Sequence, residues 1–369
     1  MPGVSTRAQG GHVDVDREGR EIGTLFRSEA WWRDHYDEIK HCGYQLRPRY
    51  RPGWVPSWKH SNNDFFAMED GQPCLLRAAM DATRIHDGKR VMLKKVLLEE
   101  GPHELRISQM FSSGAVATNS RNHCVPLLDV IELPNSGHQL MVMPFLRPFD
   151  NPHFQTFGEF VAFFAQVCEG LQFMHERNVA HRDCTANNIM LDPSRMYPNG
   201  FHPTQIERSP DFRGRAKRHT RTGRSPRYYL IDFGLSREYA SRDAFDAPLR
   251  GGDRSAPEHR DGGRCNPFQT DVYYIGNLVR EEFIQKYRGF EFMNELVSEM
   301  THREPAKRPL IEEVVVRFAR IRESLSGFKL RAPMTSKKQP SLFTAFRCAR
   351  QAIRSVYYVV SNKSAIPQH

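Results

Sequence analysis

Two side chains five residues apart, Asp183 and Asn188, lie within Val-Ala-His-Arg-Asp-Cys-Thr-Ala-Asn-Asn-Ile-Met-Leu-Asp (179–192). Their types and spacing suit phosphoryl transfer: a carboxylate can orient a hydroxyl and accept its proton, while an amide oxygen holds a metal ion against phosphates. A second acid, Asp232, ends the apolar run Tyr228-Tyr229-Leu230-Ile231 and is followed by Phe233-Gly234. A carboxylate at a strand end beside a flexible glycine suits a divalent ion that bridges two phosphates. Asp-Phe-Gly alone would be an ordinary turn. It gains meaning from the acid–amide loop before it and Ala256-Pro257-Glu258 after it, in that order.

Several elements must position these groups. Thr156-Phe157-Gly158-Glu159 reads as a capping box. The helix it opens carries Phe160, Phe163, Phe164, Val167, Leu171 and Met174 at helical spacing, a core stripe that delivers the chain to residues 179–192. Upstream, Ala82–His86, the turn Asp87-Gly88 and Lys89–Val96 read as a hairpin. Pro102–Phe111 reads as a helix with proline in its first turn. Gln139–Leu146 is an apolar strand that runs into a linker, and Ile311–Leu325 a last helix. The aromatics between prolines in Leu46–Trp58 cannot form a helix and are costly in water, so an extended arm packed on the domain is expected, with partner docking as the alternative.

The totals narrow the function classes. A chain of 369 residues can bury a sizeable core, and its mean hydropathy of −0.61 with no long apolar run predicts a soluble protein. The N-terminus lacks a signal-peptide core and a glycine at position 2. The seven cysteines form no Cys-x-x-Cys pair, which favours reduced thiols in the cytosol or nucleus and no structural zinc. The net charge of +10 suits an enzyme that meets nucleotide phosphates, and it is unevenly spread. Arg213–Arg227 is strongly basic: a solvated loop, an import signal or a dock for an acidic partner, with Ser225 and nearby threonines as modification candidates. From Ser341 onward, Phe343, Phe346, Ile353, Val356 and Val360 recur at helical intervals with Arg347, Arg350 and Arg354 between them. That tail either packs back or makes peripheral contact with an acidic membrane. Nucleic acid is not an expected partner.

With these motifs in order, the chain resembles the eukaryotic protein kinase superfamily. The resemblance implies an α+β, two-lobed protein-kinase-like fold with a reduced β-rich N-lobe and a mainly helical C-lobe. The expected layout is a disordered stretch 1–30, the arm 31–60, the kinase-like domain 61–330 and a basic amphipathic tail 331–369. Within the domain, the N-lobe reaches about residue 146, the C-lobe is 147–330 and the basic insert is 193–227. It also implies ATP and Mg2+ as cofactors and transfer of the γ-phosphate to protein hydroxyls, Ser/Thr by default, with the protein substrate unknown. Residue by residue, Asp183 matches the catalytic base and Asn188 and Asp232 the metal ligands, within motifs that also supply His181 and Arg182. Lys94 falls on the strand whose lysine contacts the α- and β-phosphates. Glu104 is the choice of partner for it, with Glu99 and Glu100 as alternatives. Met143 would be the gatekeeper, Pro144 and Leu146 would meet the adenine edge, and Asp150 the ribose. Glu258 should pair with Arg308, and Asp271 should brace the catalytic loop. Arg182 commonly receives an activation-segment phosphate; here Ser236, Tyr239, Ser241 or Ser255 would have to serve, or Asp243 or Asp246 would mimic it.

Three stretches add a closer resemblance, to an expanded kinase-domain group of mushroom-forming fungi: Arg47–Trp54, Phe149-Asp150-Asn151 and Asp271–Leu278. The chain also departs from the superfamily. No Gly-x-Gly-x-x-Gly precedes Lys94, and Thr185 and Asn187 stand where Ser/Thr and Tyr kinases carry a cation. Losing one donor aimed at developing charge costs about 10²–10³ in rate. Little room is left before Phe292 for the usual substrate-docking helix. The alternatives are a pseudokinase that binds nucleotide or presents a surface, and a small-molecule kinase of the aminoglycoside phosphotransferase type. Arg182, Phe233-Gly234 and the Glu258/Arg308 pair argue against the latter.

Overall fold

A computed structural model describes residues 24–60, 65–97, 102–133, 136–248, 253–338 and 341–368. The chain forms two compact units, one from the chain up to Arg90 with Phe201–Ala216, the other from Val91–Gly200 and Lys217 onward.

In the first unit, helix Arg27–Asp34 begins inside the stretch expected to be disordered; residues 1–23 of that stretch lie outside the described residues. The cause is Glu29. Its buried carboxylate accepts from Phe26 N (2.9 Å), Tyr50 OH (2.7 Å), Cys74 N (3.0 Å) and Arg49 Nη2 (3.1 Å). A buried charge is tolerated where such donors satisfy it. The stretch expected as a packed arm also belongs to this unit. Its strand Tyr44–Leu46 pairs antiparallel with Ala79–Arg84, Gln45 opposite Thr83. Buried Arg47 meets Asp81 Oδ1 at 3.2 Å and donates to Gln72 O at 2.8 Å, while Arg90 takes Asp81 Oδ2. Gly88 turns the chain at φ +69°, a conformation glycine adopts without steric cost. Part of the insert belongs here as well: buried His202 meets Glu69 at 3.1 Å.

In the second unit, strand His138–Pro144 is paired antiparallel on both sides, with Arg90–Leu97 and with Asp129–Leu133. Helix Phe157–His175 buries the apolar stripe read from its sequence, and helices Pro267–Val279, Asn294–Met300 and Ile311–Ser324 close the same core. The capping box is only half formed. Thr156 accepts from Glu159 N, but the Glu159 carboxylate takes Gln155 N and the amide and hydroxyl of Thr222. Strand Ile189–Leu191 lies between Arg147–Pro148 and Tyr228–Leu230. Between Arg280 and Asn294 the chain makes one π turn and one 3-10 turn.

The basic insert is not simply a solvated loop. Asp192 N donates to Arg227 O (2.8 Å) and closes its neck. Arg221 is buried, donates to Tyr228 OH (2.7 Å), Phe149 O (2.8 Å) and Pro152 O, and lies 4.3 Å over the Phe154 ring. Carbonyl acceptors and an aromatic face replace the water this guanidinium gives up. Ser225 is buried too, which removes it as an accessible modification site.

Glu258 and Arg308 form a buried bidentate pair at 2.7 and 2.8 Å, and the Thr270 hydroxyl also donates to Glu258 (2.8 Å). Burial alone would raise the Glu258 pKa; Arg308 and Thr270 outweigh it and hold the carboxyl below its ordinary range. Its stabilisation is therefore complete above the unfolded value of about 4.3 and fades as pH falls through the lower folded value. Glu258→Gln should cost about 3–5 kcal/mol at neutral pH by leaving Arg308 unpaired. In urea melts across a pH series, the gap between wild type and variant should shrink only in acid; a gap that shrinks already at neutral pH would contradict this assignment.

Candidate functional site

Lys94, on the strand opposite Met141, points its ammonium at two acids. One is Glu104, in the first turn of helix Pro102–Phe111, with which it makes a short contact. The other is Asp232, at 2.8 Å. The alternatives Glu99 and Glu100 lie outside the described residues. Asp232 has a left-handed backbone (φ +64°), and its carboxylate accepts from Gly234 N at 3.3 Å. A Cβ at Gly234 would stand 3.2 Å from Asp232 Oδ1 and 3.5 Å from Glu104 Oε2, so a bare backbone suits this crowding. Burial would lower the Lys94 pKa, but Glu104 and Asp232 outweigh it and raise it. The acids diverge: burial lifts Glu104 despite Lys94, whereas Lys94 and Gly234 hold Asp232 below the carboxylate range against burial. Asp232 thus stays ionised.

The loop before strand Ile189–Leu191 is held from beneath. The Asp271 carboxylate, in helix Pro267–Val279, accepts from His181 N and Arg182 N, both at 2.7 Å, and meets His175 Nε2 at 3.0 Å. Arg182 is left-handed at φ +67°, a conformation that costs a non-glycine residue roughly 1–2 kcal/mol and that these charge-assisted bonds offset. Asp183 N donates to His181 Nδ1 (3.3 Å), which places the ring proton on Nε2, 3.2 Å from Ile231 O. Burial holds the His181 pKa down, consistent with this neutral tautomer. Asn188 Nδ2 donates to Asp183 O and to Asp183 Oδ2, each at 2.8 Å. Ile231 N donates to Asn188 O, which sets Asn188 beside the strand that ends at Asp232.

Arg182 also reaches the segment after Asp232. Its Nη1 is 3.2 Å from Asp246 Oδ2, its Nη2 donates to Ala247 O (2.8 Å), and Tyr239 OH donates to Asp246 (2.9 Å). Of the acids considered, Asp246 rather than Asp243 faces Arg182. Ser236 is buried and donates to His181 O, and Ser255 lies against Tyr273 and Asn277. Residues 249–252 of this segment lie outside the described residues.

The structure therefore brings together Lys94, Glu104 and Asp232, and joins Asp183, Asn188, His181 and Arg182 through Asp271. Glu258 and Arg308 connect to Asp271 through its neighbour Thr270. Met143 and Pro144 lie opposite Met92 and Val91, with Leu146 and Asp150 half-buried on the connector that follows. Sequence reasoning missed His175, whose role depends on a helix 96 residues away. It also missed a cavity of about 280 Å³ lined by Thr185, Asn187, Asp253, Asn277, Glu281 and Glu282. Among the described residues the buried Thr185 hydroxyl has no hydrogen-bond partner.

Removing Asp246 should free this segment. Asp246→Ala is expected to cost about 1.5–3 kcal/mol, the range for bonds to charged groups, and to speed limited proteolysis between Tyr239 and Ala247. Cleavage at the wild-type rate would mean that Arg182 does not anchor the segment.

Comparison with known proteins gives these geometries a context. The protein kinase domain family matches residues 78–287, more than half of the chain. The dual specificity protein kinase zakA of Dictyostelium discoideum is 28% identical over 166 residues, 44% of this chain and 17% of that protein. The serine/threonine-protein kinase CAK1 of Saccharomyces cerevisiae is 28% identical over 131 residues, 33% of this chain and 28% of the relative. For the serine/threonine-protein kinase pim-2 of Danio rerio the figures are 24% over 135 residues, 30% and 41%. The matched stretches span less than half the length of each of these relatives.

Proposed function

We propose that this chain, which belongs to the family of protein kinase domains, transfers the γ-phosphoryl group of Mg·ATP to protein hydroxyls, serine or threonine by default. The observation that carries the reading is Lys94 held between Glu104 and Asp232. It supports a preorganised cation for nucleotide phosphates next to an ionised metal ligand. The donor set fits magnesium. Asp183 engages the Asn188 amide nitrogen and leaves its oxygen for a hard cation, and Asp232 supplies an ionised carboxylate. No cluster of three or more His, Cys, Asp or Glu able to hold a metal occurs among the described residues. Magnesium is commonly bound by one or two carboxylates plus substrate phosphates rather than by an all-protein cage. When bound, magnesium neutralises developing phosphate charge. Asp183 orients the acceptor hydroxyl and takes its proton, Lys94 holds the phosphates, and Met143, Pro144, Leu146 and Asp150 frame the adenine and ribose.

The rate should be modest, because Thr185 brings a hydroxyl rather than a charge and no glycine loop lies before Lys94. A pseudokinase is the second reading, favoured by Asp81: it lies where a glycine loop would end and is committed to Arg47 and Arg90. We place the chain, by its three closer motifs, in the expanded kinase-domain group of mushroom-forming fungi, with the kinase-like domain at 61–330. We assign it to the cytosol or nucleus from its cysteine usage, seven cysteines with no Cys-x-x-Cys pair.

Calorimetry of Mg·ATP into the protein should give magnesium-dependent binding that Asp232→Ala abolishes. Asp183→Asn should keep binding and lose about 10²–10⁴ in phosphotransfer to a peptide or protein acceptor. Absence of binding at millimolar nucleotide would overturn the kinase reading. Binding with phosphotransfer equal in wild type and Asp183→Asn would leave the pseudokinase.

A further inference from the structure

Helix Ser341–Val360 docks on the second unit by its polar side. Gln351 is buried, Arg354 donates to Gln155 Oε1 (2.8 Å), and Tyr358 OH meets the Thr220 hydroxyl (2.5 Å). The chain after it is anchored too: Arg331 donates to Lys363 O, and a Cβ at Gly158 would stand 1.9 Å from Ala365 O. The opposite side is apolar and open. Ile353, Val356, Tyr357 and Val360, spaced i, i+3, i+4 and i+7, are 73%, 65%, 65% and 80% exposed. A surface helix of a globular protein ordinarily turns such a stripe toward the core. Here the protein holds it outward. The Phe343, Phe346, Arg347 and Arg350 side chains lie outside the described residues.

Charge defines the occupant. Residues 212–231 carry seven Lys and Arg and residues 341–369 four, with no Asp or Glu in either segment. Their eleven positive charges exceed the net +10 of the whole chain. The Thr220–Tyr358 contact brings the two segments together, and Lys217, Arg218 and Arg224 near it, with Lys363 beyond the helix, are exposed.

We infer that this face docks on an anionic lipid surface, the helix lying in the headgroup plane with the insert cations against acidic headgroups. A polyanion such as nucleic acid would use the cations and leave the apolar stripe in water. Lipid uses both, through buried apolar area and through attraction of nearby cations to the surface.

The test is flotation of the full chain with phosphatidylcholine vesicles, with and without phosphatidylserine, at low and high salt. Binding should require phosphatidylserine and weaken with salt. Ile353→Asp with Val356→Asp should abolish it without moving the melting temperature, because both side chains are exposed. Lys217→Glu and Arg218→Glu should each weaken it by about five-fold or more. Undiminished binding by the Ile353/Val356 variant would overturn the proposal, as would binding to heparin but not to vesicles. Failure to bind vesicles together with self-association that the same variant abolishes would assign the stripe to a second copy of the chain and overturn it too.

Discussion

A carboxylate with no exposed surface holds the loop that carries Asp183 and Asn188. Asp271 sits in the middle of the second unit's core with two backbone N–H groups and a histidine around its oxygens. Burying such a charge is costly unless donors meet it, and the donors here belong to the residues just before Asp183. The constraint works in both directions. His181 and Arg182 gain fixed positions, and the left-handed turn at Arg182 becomes affordable. That turn sends Cys184 inward onto Asp271 and leaves Asp183 with Asn188. From the same turn the Arg182 side chain reaches Asp246, so one residue couples the loop to the segment beyond Asp232.

Electrostatics then separate acids that sequence alone treats alike. Glu104 and Asp232 share one ammonium, yet burial dominates at the first, while Lys94 and the Gly234 amide prevail at the second. The difference suits the roles proposed for them, in which Glu104 only holds Lys94 in place and Asp232 keeps its charge as a metal ligand. Gly234 eases the approach of Asp232, whose Oδ1 would stand only 3.2 Å from a Cβ there.

Much of this was legible because the informative spacings are local. Asp183 with Asn188, Asp232 with Gly234, and the stripe of helix Phe157–His175 each lie within a single element or loop. What escaped depends on partners brought in by folding. Glu29 orders a stretch of polar composition through donors as far away as Cys74, and no periodicity near residue 29 announces that. Arg221 looked solvated because basic runs usually are; the carbonyls that bury it come from residues 149 and 152. Glu159 had the correct spacing for a capping box, but Thr222 and Gln155 took its oxygens. Asp246 and Asp243 were equivalent until the backbone turned one of them toward Arg182.

The distribution of cations carries one more consequence. A basic protein in this family could be expected to concentrate positive charge around the phosphates it handles. Here the loop after Asp183 offers Thr185 and Asn187, neither of them charged, and Arg182 is engaged with Asp246. Lys94 is left as the side-chain cation facing Asp232, while the chain's excess charge lies in the insert and the tail. Under the proposed function, phosphate affinity rests on Lys94 and on metal held by Asp232 and Asn188, which makes those oxygens matter more than in a site with a second cation.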